Sequence, residues 1–179
     1  MGIADKILPH YTYDEWVHWE GKWELIEGFP VAMSPTPIPP HQRAAAELIT
    51  EFTLALRKSL CKKCKVYDSL DYKIANDTIL VPDILIICGE VKKNYLDFAP
   101  SLVVEILSPS TALRDRHTKF ELYQQQGVKY YLIVDADKKS IEVYMLKDAI
   151  YTLQKLNKSF TFHLDNNCST TPDMSSIFD

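Results

Sequence analysis

The chain has no apolar run of membrane-spanning length, no apolar core near its start of the kind a signal peptide carries, and no surplus of positive charge. The first two absences make a cytoplasmic protein with no membrane partner the expectation. The third, a net charge of −4 over 179 residues, argues against a protein that coats nucleic acid through a basic surface. It leaves room for one that acts on nucleic acid through metal ions, which bring the positive charge themselves. Cysteine is sparse. Cys61 and Cys64 form a Cys-x-x-Cys among Lys62, Lys63 and Lys65, but no second such pair exists to complete a zinc site of the usual spacing. A thioredoxin-like motif opens a helix after a strand, whereas this one closes a helix. With Cys88 and Cys168 isolated, all four are expected as reduced thiols. Internal repeats, low-complexity segments, zinc fingers and helix-turn-helix units are missing too. What remains is ordinary for a globular protein, 25% charged and 46% hydrophobic, and is expected to form a single domain over residues 1–179.

The order of elements follows from periodicity and punctuation. Thr12-Tyr13-Asp14-Glu15 has capping-box spacing, which predicts a short helix from Thr12 to about Trp19. Trp23–Ile26 then reads as a strand that turns at Gly28 into Phe29–Met33. Prolines 35, 37, 39 and 40 predict an extended linker ahead of a helix starting near His41. In that helix Ala44, Ala45, Leu48, Ile49, Phe52 and Leu56 form one apolar stripe. Residues 66–75 alternate loosely, and Asn76-Asp77 signals a turn into a strand over Ile79–Ile87. A further strand over 101–107 stops at Ser108-Pro109-Ser110-Thr111, which supplies an N-cap for a helix over 112–126 with Gly127 as its C′ residue. Tyr130–Asp135 reads as a buried strand. Ser140–Met145, Ala149–Leu156 and Phe160–Leu164 read as a closing meander. The fold class is α/β with a mixed sheet, because the strand–helix–strand unit at 101–135 calls for a parallel crossover.

Two acids stand out against this pattern. Glu105 interrupts Ser-Leu-Val-Val-Glu-Ile-Leu, and Asp83 interrupts an equally apolar run after Pro82. An unpaired carboxylate buried in such a strand costs on the order of several kcal/mol, so each needs a partner. If the two strands are neighbours, the carboxylates repel and favour a shared proton or a bound cation, and hard oxygen ligands suit magnesium or manganese. Asp115 and Lys119 are four apart in the following helix and share a face, from which the lysine reaches back toward Glu105. Such an ammonium orients or helps deprotonate an attacking water and stabilises charge developing on a phosphate. The alternatives are plain: a turn aspartate, a structural ion pair at Glu105, and a solvated helix pair.

The succession of Pro82-Asp83, Glu105 and a nearby lysine resembles the PD-(D/E)xK nuclease superfamily. From Trp23 almost to the C-terminus the chain resembles more closely the Uma family ("Uma-two") of restriction-endonuclease-like proteins. The resemblance is carried by Trp23–Gly28, Pro35–Arg43, Val81–Ile84, Ala99–Thr111, Asp115–Lys119 and Gly127–Tyr131. It implies a restriction-endonuclease-like core, with a mixed central sheet flanked by helices, an N-terminal helix-hairpin and a C-terminal β-meander. It implies Asp83 and Glu105 as ligands of Mg2+ or Mn2+, and Glu24 as a further ligand from an upstream element. The motif's lysine stands two residues after the second acid, and here that position is Leu107; Lys119 takes its place as the third catalytic candidate. His41, Arg43, Arg114 and Arg116 are the candidates for phosphate contact.

Three functions compete at this point. The first is a metal-dependent endonuclease acting on nucleic acid, with DNA the expected partner and a homodimer the expected assembly, since one site cuts one strand. The second is a degenerate nuclease-like fold kept as a binding or assembly module, which Leu107 favours. The third, a redox or metal-sensing protein built on Cys61 and Cys64, fits poorly for the reasons above.

Overall fold

The computed structural model describes residues 8–33 and 38–179. Its elements in chain order are α1 (Tyr13–Trp16), β1 (Trp23–Ile26), β2 (Phe29–Ala32), α2 (Pro39–Lys58), β3 (Cys64–Asp68), β4 (Tyr72–Ala75), β5 (Thr78–Leu80) and β6 (Ile84–Cys88). They continue with β7 (Leu102–Ile106), α3 (Ala112–Arg116), α4 (Thr118–Gln125), β8 (Tyr130–Asp135), β9 (Ser140–Lys147), β10 (Ile150–Gln154), β11 (Phe162–Asp165) and β12 (Cys168–Thr170). Pro35 and Pro37 lie outside the described residues. Pro39 and Pro40 sit in the first turn of α2, where an absent N–H leaves no intrahelical bond unmade. Among the described residues no helix is long and apolar enough to cross a membrane.

The strands form a six-stranded sheet of order β10-β9-β8-β7-β6-β3, a four-stranded sheet of order β2-β1-β5-β4 and the β11–β12 hairpin. Within the six-stranded sheet only β7 and β8 run parallel, joined through α3 and α4 as the crossover predicts. Period-two alternation divides its side chains between two cores. Ile84, Ile86, Val104, Ile106, Leu132 and Val134 pack on one face against Leu48 and Phe52 of α2. Leu85, Ile87, Val103, Tyr131 and Ile133 pack on the other, against Tyr123 of α4 and Val128. Glu105 falls on this second face, under α4.

The β1–β2 hairpin turns through Glu27 and Gly28, both at positive φ, the two-residue geometry whose twist matches its strands. A Cβ on Gly28 would run into the His10 ring, so any other residue there would have to displace that side chain as well as hold a positive φ. At the other end of the crossover, Gly127 (φ +77) lets Val128 N–H reach the carbonyl of Tyr123, closing α4 as expected.

Several expectations need correction. The run 79–87 is two strands, not one. Pro82 cannot donate to a ladder, and the chain there leaves the four-stranded sheet for the six-stranded one. Asp83 therefore lies in the link just before β6, not within a strand. Residues 66–75 likewise divide between β3 and β4 in different sheets. The N-terminal helix keeps its capping box but spans only Tyr13–Trp16. The helix expected over 112–126 breaks at His117 (φ −122, ψ −75) into α3 and α4. Thr111 occupies the N-cap position of α3, yet its hydroxyl accepts a bond from Ser108 N–H and caps no helical N–H. The C-terminal meander stops at β10; β11 pairs with β12 alone. The cysteines are not free. Antiparallel register sets Cys64 opposite Cys88, β12 returns Cys168 to Cys61, and both pairs are bonded as disulfides.

Arg116 holds α3 to β9 through two hydrogen bonds to Glu142, at 2.6 and 3.1 Å. These bonds foremost, with another from the Tyr144 hydroxyl, hold the Glu142 carboxyl below its ordinary pKa despite partial burial. A depressed carboxylate stabilises the fold above its unfolded-state pKa, and the contribution fades as pH falls through the folded-state value. Both side chains are about a third exposed, so solvent screening limits the pair to at most about 1 kcal/mol. Glu142→Gln should be less stable than wild type by that amount in urea melts at pH 7, with the gap closing in acid. A gap that persists undiminished at low pH would assign the loss to something other than this charge.

Candidate active site

The side chains singled out in the sequence converge on a cleft of about 770 Å³ between the two larger sheets and the start of α2. Glu24 comes from β1 and is fully buried. Although it comes from a hairpin strand, it is not a solvent-facing residue. Asp83 comes from the link between the sheets, Glu105 from β7, Asp115 from α3 and Lys119 from α4. Extending the β6–β7 register by one position sets Asp83 opposite Glu105, which places both carboxyl groups on the same face of the sheet.

Lys119 is the hub. Its Nζ lies 2.7 Å from Glu24 Oε1, 2.9 Å from Glu105 Oε1 and 3.6 Å from Asp115 Oδ1, and the residue is only 3% exposed. Burial works to neutralise this amine, but Glu105, Glu24 and Asp115 outweigh it and raise its pKa. An ammonium held in that way donates hydrogen bonds and offsets negative charge. As a protonated amine it does not itself take a proton from water, and of the roles expected from the sequence it suits orienting a water and stabilising negative charge.

The other contacts fix the acids individually. Glu24 Oε1 also accepts Val81 N–H at 2.9 Å, and Glu105 Oε1 accepts the Tyr123 hydroxyl at 2.7 Å. Asp83 Oδ2 accepts Ile106 N–H at 2.8 Å and lies 3.4 Å from His41 Nε2. Among the described residues, the bonds to Asp83 and Glu105 thus fall on one oxygen of each. Burial pushes the Glu105 carboxyl well up in pKa; Lys119 opposes this, while Asp115, Asp83 and Glu24 add to it. Asp115 is raised by burial in the same way. For His41, burial is the largest influence and lowers its pKa, yet the hydrogen bond and charge of Asp83 together carry it above the ordinary value.

Charge does not balance in this cleft. Five carboxylates line it, those of Glu24, Asp68, Asp83, Glu105 and Asp115, against three permanent cations, Lys22, Arg114 and Lys119. Arg114 Nε approaches Glu24 Oε2 at 3.5 Å without forming a hydrogen bond. Glu24 Oε2, His41 Nδ1, Arg114 Nε and Asp115 Oδ1 are all buried with no hydrogen-bond partner among the described residues, and all four residues line the cleft. Buried polar atoms are rarely left so, and their gathering in one cavity marks a place for a polar ligand. Hard carboxylate oxygens in negative excess fit a divalent cation of the magnesium type.

Not every candidate arrives here. Arg43 is exposed and pairs with Glu47 at 2.9 Å along α2, and Arg116 is engaged by Glu142; neither lines the cleft. Leu107 packs against the second core instead of standing in for the motif's lysine. Tyr123 was missed, although Asp115, Lys119 and Tyr123 recur at four-residue spacing and so share one helical face.

The family described as "Putative restriction endonuclease" (Uma2) matches residues 11–175. A relative in Synechocystis sp., "Uncharacterized protein slr1290", is 28% identical over 158 residues, which are 79% of this chain and 77% of that protein. Among solved structures, a "putative nuclease belonging to DUF820" from Anabaena variabilis superposes with a TM-score of 0.72 at 18% identity, over 94% of this chain and 97% of that one. At that identity the likeness shows the shared fold.

Removing the hub cation takes the nearest positive charge away from three buried carboxylates. Lys119→Met should destabilise the protein by about 3–5 kcal/mol in urea unfolding. Adding Glu105→Gln should recover part of that loss, because one stranded charge is then gone. Strictly additive losses would show that the two side chains do not interact.

Proposed function

Since the chain belongs to the Uma2 family, described as "Putative restriction endonuclease", we propose that it hydrolyses phosphodiester bonds of nucleic acid, DNA first among them, with the help of Mg2+ or Mn2+. The observation that carries this reading is the excess of buried carboxylate over cation around Lys119. Folding has gathered like charges at a cost that structure alone does not require, and a divalent ion offsets it.

Asp83 and Glu105 would hold the cation, through the oxygens that the bonds described above leave unused, with Glu24 as a further ligand. A bound ion would act as a Lewis acid toward the phosphoryl oxygen and lower the pKa of a coordinated water. The rest falls to the protein's own groups. Ile106 N–H fixes one oxygen of Asp83, and Lys119 with Tyr123 fixes one oxygen of Glu105, so neither carboxylate has to reorganise when a ligand arrives. Arg114 and His41 stand in the cleft where a phosphate would need a donor, and each carries a nitrogen with no hydrogen-bond partner among the described residues. Lys119 keeps a fixed positive charge beneath the acids and offsets charge that builds in the transition state. Two copies of the chain would supply one such site for each strand of a duplex.

Calorimetric titration with Mn2+ or Mg2+ tests the site without a guess at the substrate. Saturable binding to wild type should vanish in the folded double variant Asp83→Asn/Glu105→Gln, and wild type should nick plasmid DNA only when the metal is present. Binding that survives the double variant would mean other groups hold the ion. Metal binding without cleavage of DNA or RNA would favour the binding-module reading, and no binding even with duplex DNA added would remove the catalytic one.

A further inference from the structure

At the end of β3 and β6 away from the acidic cleft, three cysteines cluster and the fourth, Cys88, adjoins them through Cys64. Cys61 follows the end of α2, Cys64 opens β3, Cys88 closes β6 and Cys168 opens β12. One ligand sulfur from each of Cys61, Cys64 and Cys168 lies within 4.8 Å of the others, and Cys88 is joined to Cys64. Cys64 and Cys168 belong to the core between α2 and the sheet, with Cys61 and Cys88 packed against it. We propose that in the reduced protein these four thiolates bind one Zn2+ ion, a structural centre independent of the nuclease reading.

Two disulfides, as pairs, have no reason to share a location; four ligands of one cation must. Tetrahedral zinc holds thiolate sulfurs at about 2.3 Å, which sets them roughly 3.8 Å apart, within the spread seen for three of the four. Cys61 and Cys64 have the Cys-x2-Cys spacing of a zinc-binding turn. The second half of the site comes from the facing strand and the C-terminal hairpin, which is why no second motif appears in the sequence. Charge agrees as well. Zinc with four thiolates carries two net negative charges, and Lys62, Lys63 and Lys65 are interleaved with the first two ligands. Lys63 and Lys65 are exposed, and Lys63 reaches Asp165, beside Cys168, only at 4.0 Å.

The two forms interconvert by balanced chemistry. A dithiol reductant gives two electrons and two protons to each disulfide, yielding four thiols and the oxidised reductant, and Zn2+ then displaces four protons. The bound ion would fasten the β11–β12 hairpin and the end of α2 to the β3 edge of the large sheet.

The test uses the full chain, purified in thiol reductant without chelator. Zinc analysis should return about one ion per chain, with the thiols unreactive toward an aromatic disulfide reagent until a chelator is added. Demetallated protein given Co2+ under argon should develop the strong visible absorption of tetrahedral cobalt thiolate, a readout that needs no variant. Cys88→Ser and Cys168→Ser should each weaken Co2+ binding at least tenfold, whereas Asp83→Asn/Glu105→Gln should keep the zinc. Reduced chains with four reactive thiols and no cobalt spectrum would overturn the proposal. So would disulfides that resist the reductant in zinc-free protein, or wild-type affinity in both cysteine variants.

Discussion

The ammonium of Lys119 is bound on three sides by carboxylates from three different parts of the chain, and the arrangement of the surrounding elements follows from that fact. Glu24 belongs to the smaller sheet, Glu105 to the larger one and Asp115 to the helical crossover. Each acid taken alone would be a poor choice at a buried position, and so would the lysine. Together they make a contact that is stable only when both sheets and the crossover are in place. This links folding of the chain to completion of its cleft: an incompletely packed molecule has a charge without a partner. Cancellation is only partial, however, since the acids outnumber the cations. The surplus is tolerable at the wall of an open cavity, where water or a ligand can reach it, and would not be tolerable deeper in the protein.

Much of this was legible in the sequence because it depends on local pattern. Continuous apolar runs marked β6, β7 and β8, and a carboxylate in the midst of such a strand was visible as an anomaly without any coordinates. The four-residue spacing of Asp115 and Lys119 placed them on a common helical face, and this survives the break at His117. The hairpin turn at Gly28 and the end of α4 at Gly127 were likewise written in glycines, which tolerate positive φ. In each case a few neighbouring residues settle the matter.

What the sequence did not disclose is mostly pairing over distance. Glu24 looks like any hairpin acid until β1 is laid against β5 and its carboxylate is brought to Val81 and Lys119. Cys88 and Cys168 look isolated until antiparallel register and a late hairpin bring them to Cys61 and Cys64. The basic residues show the same limit in reverse. Arg43 and Arg116 fit a phosphate-binding pattern on paper, but each has an acid within reach, and three-dimensional proximity decides in favour of the acid. The split at Pro82 could have been anticipated, because a residue without an N–H is ill suited to a central ladder.

That split has a mechanical meaning. Val81 is hydrogen-bonded to Glu24 of the smaller sheet, and two residues later Asp83 is hydrogen-bonded to the backbone of β7 in the larger one. The passage between sheets is therefore pinned at both ends, and its central residue is a proline with a fixed φ. It behaves as a short rigid strut, not as a hinge. Spreading the sheets would have to break one pin or the other, so the separation of the acids is set when the chain folds and does not wait for a ligand.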